Sequence, residues 1–451
     1  MTCVRTELIL VSLLFIIATN TLSPPRAGAY PWIHYFEWPL MSRICSAFAD
    51  AEGSVIVSNG DWRMGPGWPG YTEYTYCTDG ILRINEDRIE SISCPDDIFV
   101  FDYATDSTGR IWVLLATGID YQKEMILSSN STETGSDIGY RWGTYPTHPR
   151  LQDHRLGYID GMRLVECPEP TAAIRGELAF MRSDASGRIF VASWDWHDNV
   201  LYSFYITWGN PQDVASLKRF RLSGVVPDAR SPGYPAYYPE FGPDGIMYLL
   251  FYWWLEDSKR YGVLCLNPDT EEWQILSAET SPLLDSKIEY FHVDERNRRW
   301  FGTEDGLVLF DGENWARFTT DNSGLPHDLA RKIAYDAIDD VHYVISSCKA
   351  EDYYEDPEHS YAFSIFSSTG EPLGQSLYHS SIAELHQGAG DVWYLLLRWQ
   401  DGIFYVYDHT STREYGIRAW IDSEHLIGAH YIGPTATGRT FLADDGVIMI
   451  W

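Results

Sequence analysis

Residues 106–113 read DSTGRIWV and residues 184–191 read DASGRIFV. The same slot recurs more loosely from Asp50, Gly242, Asp294, Asp336, Gln387 and Thr435. Three residues into each copy sits Gly, Asn or Asp, the types that tolerate the positive φ of a tight turn. A strand-like run follows. Three residues beyond the turn residue come Ile56, Trp112, Phe190, Tyr248, Trp300, Trp393 and Phe441. The copy at Asp336 fits with a one-residue slip, to Tyr343. The anchors lie 56, 78, 58, 52, 42, 51 and 48 residues apart. A chain that repeats itself at this period must build a stack of like units, because one unit cannot bury its own apolar faces.

Each unit reads as β structure. Between Trp300 and Phe318, two turns, Thr303-Glu304-Asp305-Gly306 and Asp311-Gly312-Glu313-Asn314, separate three short apolar runs. Similar strands recur at 80–84, 261–266, 272–276 and 402–407. No sustained 3.6-residue period appears, so the chain is expected to be all-β. Three or four short strands are not stable alone. The expectation is a closed β-propeller of eight blades, or seven if the anchor at 336 or 50 is false. The last anchor leaves only two strands before the chain ends, and the segment from Trp32 to Phe36 resembles the strand Trp315 to Phe318. That N-terminal strand is expected to complete the last blade and so remove an open sheet edge. The aromatic slot is expected to pack between blades.

One unit carries a more specific likeness. Gly302-Thr303, Gly306-Leu307, Phe310-Asp311-Gly312, Trp315 and Asn322-Ser323-Gly324-Leu325-Pro326 match, in order, the two-component-regulator propeller repeat. The units at Asp106 and Asp184 match its first third, and the other copies are degenerate. The resemblance implies an extracellular or periplasmic ligand-binding region of the sensor type. In that family the propeller usually precedes a small β domain, a membrane helix and a kinase; here the sequence stops at Trp451.

The ends and the charge bound the setting. Arg5, an apolar run from Leu8 to Ala18 and Ala27-Gly28-Ala29 read as a signal peptide over residues 1–29. The run is shorter than the ~18 apolar residues a membrane span needs. Residues 30–451 then form a single propeller domain, secreted or periplasmic and not membrane-spanning after cleavage. The formal net charge of −31 repels phosphate backbones and argues against nucleic acid as a partner. Six cysteines follow the leader, an even number that permits disulfides in an exported chain. Cys77 and Cys94 flank neighbouring strands and are the favoured pair. Asn130-Ser131-Thr132 is a glycosylation sequon if the source is a eukaryote. It lies in the longest insertion, 128–155.

Loops at equivalent places in different units fall on one side of a ring. The stretches after the first strand contain Asp61-Trp62, Trp194-Asp195-Trp196-His197, Trp253-Trp254 with Glu256, and Arg398-Trp399 with Asp401. Tryptophan beside carboxylates suits a sugar ring or a peptide side chain, and equally a protein surface. These twelve residues form the candidate ligand face; the alternative is that the indoles cover blade edges. No nucleophile elbow, Walker or dinucleotide motif is present. His197, His292, His342 and His386 could converge on an axial metal only if the fold brings them together. No catalytic residue, metal ligand or cofactor is assigned, apart from weak Ca²⁺ binding by single turn aspartates. The expected function is a non-catalytic module recognising a glycan, another small molecule or a protein. The alternative is a glycoside hydrolase or lyase, which would need a close buried acid pair with one raised pKa.

Overall fold

The computed structural model describes residues 34–37, 44–50, 52–65, 73–84, 89–95, 98–117, 152–174, 176–197, 200–222, 234–235, 239–255, 258–278, 281, 287–337, 340–348, 360–373, 377–379, 382–387, 392–397, 403–408, 417–422, 431–434, 440–444 and 447–450. The expected leader and residues 128–151 of the long insertion lie outside them, while 152–155 open the strand Gln152–Asp160; the side chain of Cys77 in the suggested disulfide also lies outside them.

Among the described residues the strands form eight antiparallel sheets, seven of four strands and one of five. In chain order, sheet 1 spans 44–92, sheet 2 spans 98–166, sheet 3 spans 177–221, sheet 4 spans 234–277, sheet 5 spans 288–318, sheet 6 spans 329–379 and sheet 7 spans 382–422. Sheet 8 joins Tyr431–Pro434, Thr440–Asp444 and Val447–Ile450 to the N-terminal strand His34–Glu37. His34 pairs with Ile450 and Glu37 with Val447, as expected for an N-terminal strand that completes the last unit.

Successive first strands lie side by side. Ile44–Ala49 meets Ile98–Thr105, which meets Glu177–Ser183. Ile288–Val293 meets Leu329–Asp336, and Tyr431–Pro434 returns to Ile44–Ala49. In six sheets the first strand carries a one-residue bulge against the second, at Cys45, Phe101, Ala179, Glu289, Arg331 and Ala383. A bulge increases local twist and bends the strand.

The anchor turns sit inside the units, between first and second strands, and not at their starts. Their fourth residue has positive φ at Gly53, Gly109, Gly187, Gly245 and Asn297, and the slipped copy has it at Asp340. The aromatic or aliphatic residue three further on is buried in every one of these: Ile56, Trp112, Phe190, Tyr248, Trp300 and Tyr343. The anchor aspartate organises the turn. Asp294 Oδ1 accepts the backbone N–H groups of Arg296 and Arg298, while Oδ2 accepts Arg298 Nε and Trp300 Nε1. Asp106 repeats this with Thr108, Arg110 and the indole of Trp112. Asp184 does so with Ser186 and Arg188. The recurring Asp is therefore a turn cap and an anchor for the core aromatic.

The core lies between sheets. Met247, Leu249, Phe251 and Trp253 of sheet 4 pack on Phe190, Phe204, Ile206 and Trp208 of sheet 3. The alternate residues Tyr248 and Leu250 pack with Val263 and Cys265 on Phe291, Phe301 and Val308 of sheet 5. Sheet 4 is thus buried on both faces, which is why Met247–Leu255 is an unbroken apolar run.

Candidate functional site

The second and third strands of each sheet form a hairpin that points away from the anchor turn, and these hairpins differ in length. In sheet 5 the pairing ends at Thr303 and Gly306, six residues after Asn297, in the tight turn Glu304-Asp305. The turn is sealed by Thr303 Oγ1, which donates to the Gly306 carbonyl and accepts from Asp305 N–H. In sheet 4 the pairing runs on to Leu255 and Ser258, ten residues after Gly245. Sheet 3 is also long, to His197 and Val200. A step therefore falls from sheet 4 to sheet 5.

This step decides the fate of the tryptophan pair. Side chains alternate along a strand. Trp253 faces sheet 3, whose long hairpin covers it, and is 4% exposed. Trp254 faces the side of sheet 5, whose hairpin stops short, and is 42% exposed. Tyr252 shares that face, and opposite them on the third strand lie Tyr261 and Lys259. Lys287 lies 3.5 Å from Glu304 in the turn of the short hairpin, and also pairs with Glu289. Arg331 of sheet 6 donates to Ser347 Oγ, and its guanidinium stands 5.9 Å from the Tyr361 ring. The exposed end of the sheet 4 hairpin is aromatic, and the short hairpin of sheet 5 carries both signs of charge. Such a combination can grip a ligand by stacking and orient it by hydrogen bonds.

The other expected site residues fall in several places. Asp61, Trp62, Trp196 and His197 lie within strands of long hairpins, not in loops, and their side chains are outside the described residues. Trp194 is half-buried and meets Phe204 edge-on at 4.6 Å. Asp195 is buried. Glu256, Arg398, Trp399 and Asp401 lie outside the described residues. Trp254 is thus the one of the twelve whose described side chain is exposed. Sequence reasoning missed Tyr252, Lys259, Tyr261, Lys287 and Glu304. The cue was available in part, because the Glu304-Asp305 turn is visibly shorter than its counterparts.

A second set of ionisable groups lies toward the anchor turns and between sheets. Asp102 is buried against Arg182 of the next sheet, 2.8 Å away, and also accepts the Met181 N–H. Burial raises its pKa, and Arg182 opposes the rise. His292 Nδ1 lies 3.1 Å from Glu240, whose Oε2 also accepts the Val293 N–H at 2.9 Å. Burial works against the His292 charge, but Glu240 outweighs it and the pKa rises. His342, fully buried, places Nε2 3.3 Å from Asp294 Oδ2, and its ring centroid lies 4.1 Å from that of Trp300 at a tilt of 39°. Burial lowers its pKa to about 4. Burial also disfavours the Asp294 charge, yet His342, Trp300 and Arg298 together hold that carboxyl well below its ordinary range. Among the described residues no three metal-ligating side chains converge. The acid with the raised pKa, Asp102, faces an arginine and not a second acid.

No protein-family model matches the sequence. No curated protein matches it either. Several solved structures are similar. One is the extracellular domain of the hybrid two component system protein BT3049 from B. thetaiotaomicron, at 14% identity and a TM-score of 0.45, covering 78% of this chain and 39% of that one. Sqt1 from Chaetomium thermophilum is similar at 9% identity and a TM-score of 0.48, over 93% of this chain and 98% of that one. BamB from Moraxella catarrhalis is similar at 12% identity and a TM-score of 0.42, over 94% and 99%. The chain spans about two fifths of the length of the BT3049 domain. Among the described residues no helix is long and apolar enough to cross a membrane.

Proposed function

We propose that the chain is an exported, closed, eight-bladed propeller that acts as a non-catalytic binding module. Its ligand sits on the hairpin side, at the step between sheets 4 and 5. The observation that carries this is the exposure of Trp254 beside the buried Trp253. An indole exposed on a sheet face, among tyrosines and paired charges, is the kind of anchor that binding surfaces use. The return of the last sheet onto the first supports closure, and the leader pattern supports export.

The test is intrinsic tryptophan fluorescence and thermal stability of the mature protein across a panel of glycans, small metabolites and peptides. A compound that shifts both, and loses its effect in Trp254→Ala, supports the reading. A hit indifferent to Trp254→Ala moves the site elsewhere. Cleavage of a glycan during the titration replaces the module with an enzyme.

A further inference from the structure

The wall of the step holds an ammonium. Lys259 Nζ stands 3.6 Å from the centroid of the Tyr252 ring and 5.1 Å from that of Tyr261. The two rings are 6.1 Å apart and inclined at 45°. Trp254 is cross-strand from Lys259 on the same face. Aromatic rings attract a cation through their negative faces, most strongly when the cation sheds its water easily. A lysine ammonium is compact, strongly hydrated and carried on a flexible stem. Lys259 is also exposed, so solvent and solutes reach the aromatic surface that it covers. The formal net charge of −31 favours the approach of cationic ligands over anionic ones at long range.

We propose that Tyr252, Tyr261 and Trp254 form a recognition site for a small organic ammonium compound, and that Lys259 is its built-in competitor. The inference rests on the step being the ligand platform and names the chemistry of what binds there. A quaternary ammonium is bulkier than the lysine headgroup and less hydrated. It would displace Lys259 and use the exposed indole of Trp254 as well as the two tyrosine rings.

The experiment is calorimetric titration with choline at constant ionic strength, with sodium chloride as the matched control. Its uncharged tert-butyl isostere serves as the neutral probe. Saturable choline binding is expected, about tenfold tighter than the isostere, as a partly desolvated cation–π contact provides. Tyr252→Leu should weaken it about tenfold, Tyr252→Phe should retain it, and Lys259→Gln should tighten it several-fold. Equal binding of choline and the isostere overturns the proposal. So does unchanged affinity in Tyr252→Leu, or no saturable binding to either wild type or Lys259→Gln. Thermal unfolding of each variant confirms that it is folded. If choline is silent but another compound depends on Trp254, the ammonium assignment falls and the platform stands.

Discussion

At the residue scale, buried His342 and part-buried His292 push stability in opposite directions with pH. His342 has its pKa lowered to about 4 by burial, against an ordinary 6.5 in the unfolded chain. Between those values the unfolded state binds a proton that the folded state refuses, so stability falls as pH falls from 6.5 to 4. The full window corresponds to ~3 kcal/mol. His292 has a raised pKa; its contribution is complete below 6.5 and is lost as pH rises through its folded value. Denaturant unfolding of wild type and His342→Gln at pH 7 and pH 5 should therefore show a shallower acid loss in the variant. An unchanged slope would mean that His342 is accessible to protons in the folded state. Asp294 is a harsher target. Asp294→Ala leaves Arg298 and the Trp300 indole without their shared acceptor in the core and should cost ~3 kcal/mol or more, read as a fall in the denaturation midpoint.

At the element scale, the anchor turns separate two effects of glycine. Gly109 and Gly187 have the same left-handed backbone, at φ 83° and 76°. A Cβ on Gly109 meets nothing within 4 Å, whereas one on Gly187 falls 2.1 Å from the Ser107 backbone nitrogen in the neighbouring sheet's turn. Gly109→Ala should cost ~1–2 kcal/mol from backbone strain alone. Gly187→Ala should cost clearly more, because two turns must move apart; equal losses in urea unfolding would refute the contact. These turns were legible in the sequence, including the slipped copy at Asp340, because positive φ restricts residue type. The three strands of Trp300 to Phe318 were legible for a similar reason, since both turns that separate them carry glycine. The first strand of each sheet was not, since runs such as Leu178-Ala179-Phe180-Met181 are buried on both faces and show no alternation. The site was half legible. Trp253 and Trp254 look alike in sequence, and what separates them is the relative length of hairpins in two different neighbours.

At the scale of the whole molecule, the arrangement stands on contacts between neighbours, and the pairing of His34–Glu37 with Val447–Ile450 ties the two ends of the chain together. In an open array of repeats each unit contributes its own stability and that of its interfaces, and the terminal units fray first. The N-terminal strand changes that, because sheet 8 cannot be completed until both ends of the chain are present. Without it, Val447–Ile450 becomes an unpaired edge, and an exposed apolar edge recruits other chains. A protein beginning at residue 41 should therefore lose more than a four-residue strand's worth of stability. It should unfold at lower temperature and aggregate in a concentration-dependent way. A synthetic peptide covering residues 30–40 should restore both properties in trans by refilling the vacant edge. If the truncated protein instead keeps its unfolding temperature and stays monomeric, the terminal strand is an ornament on sheets that hold together without it.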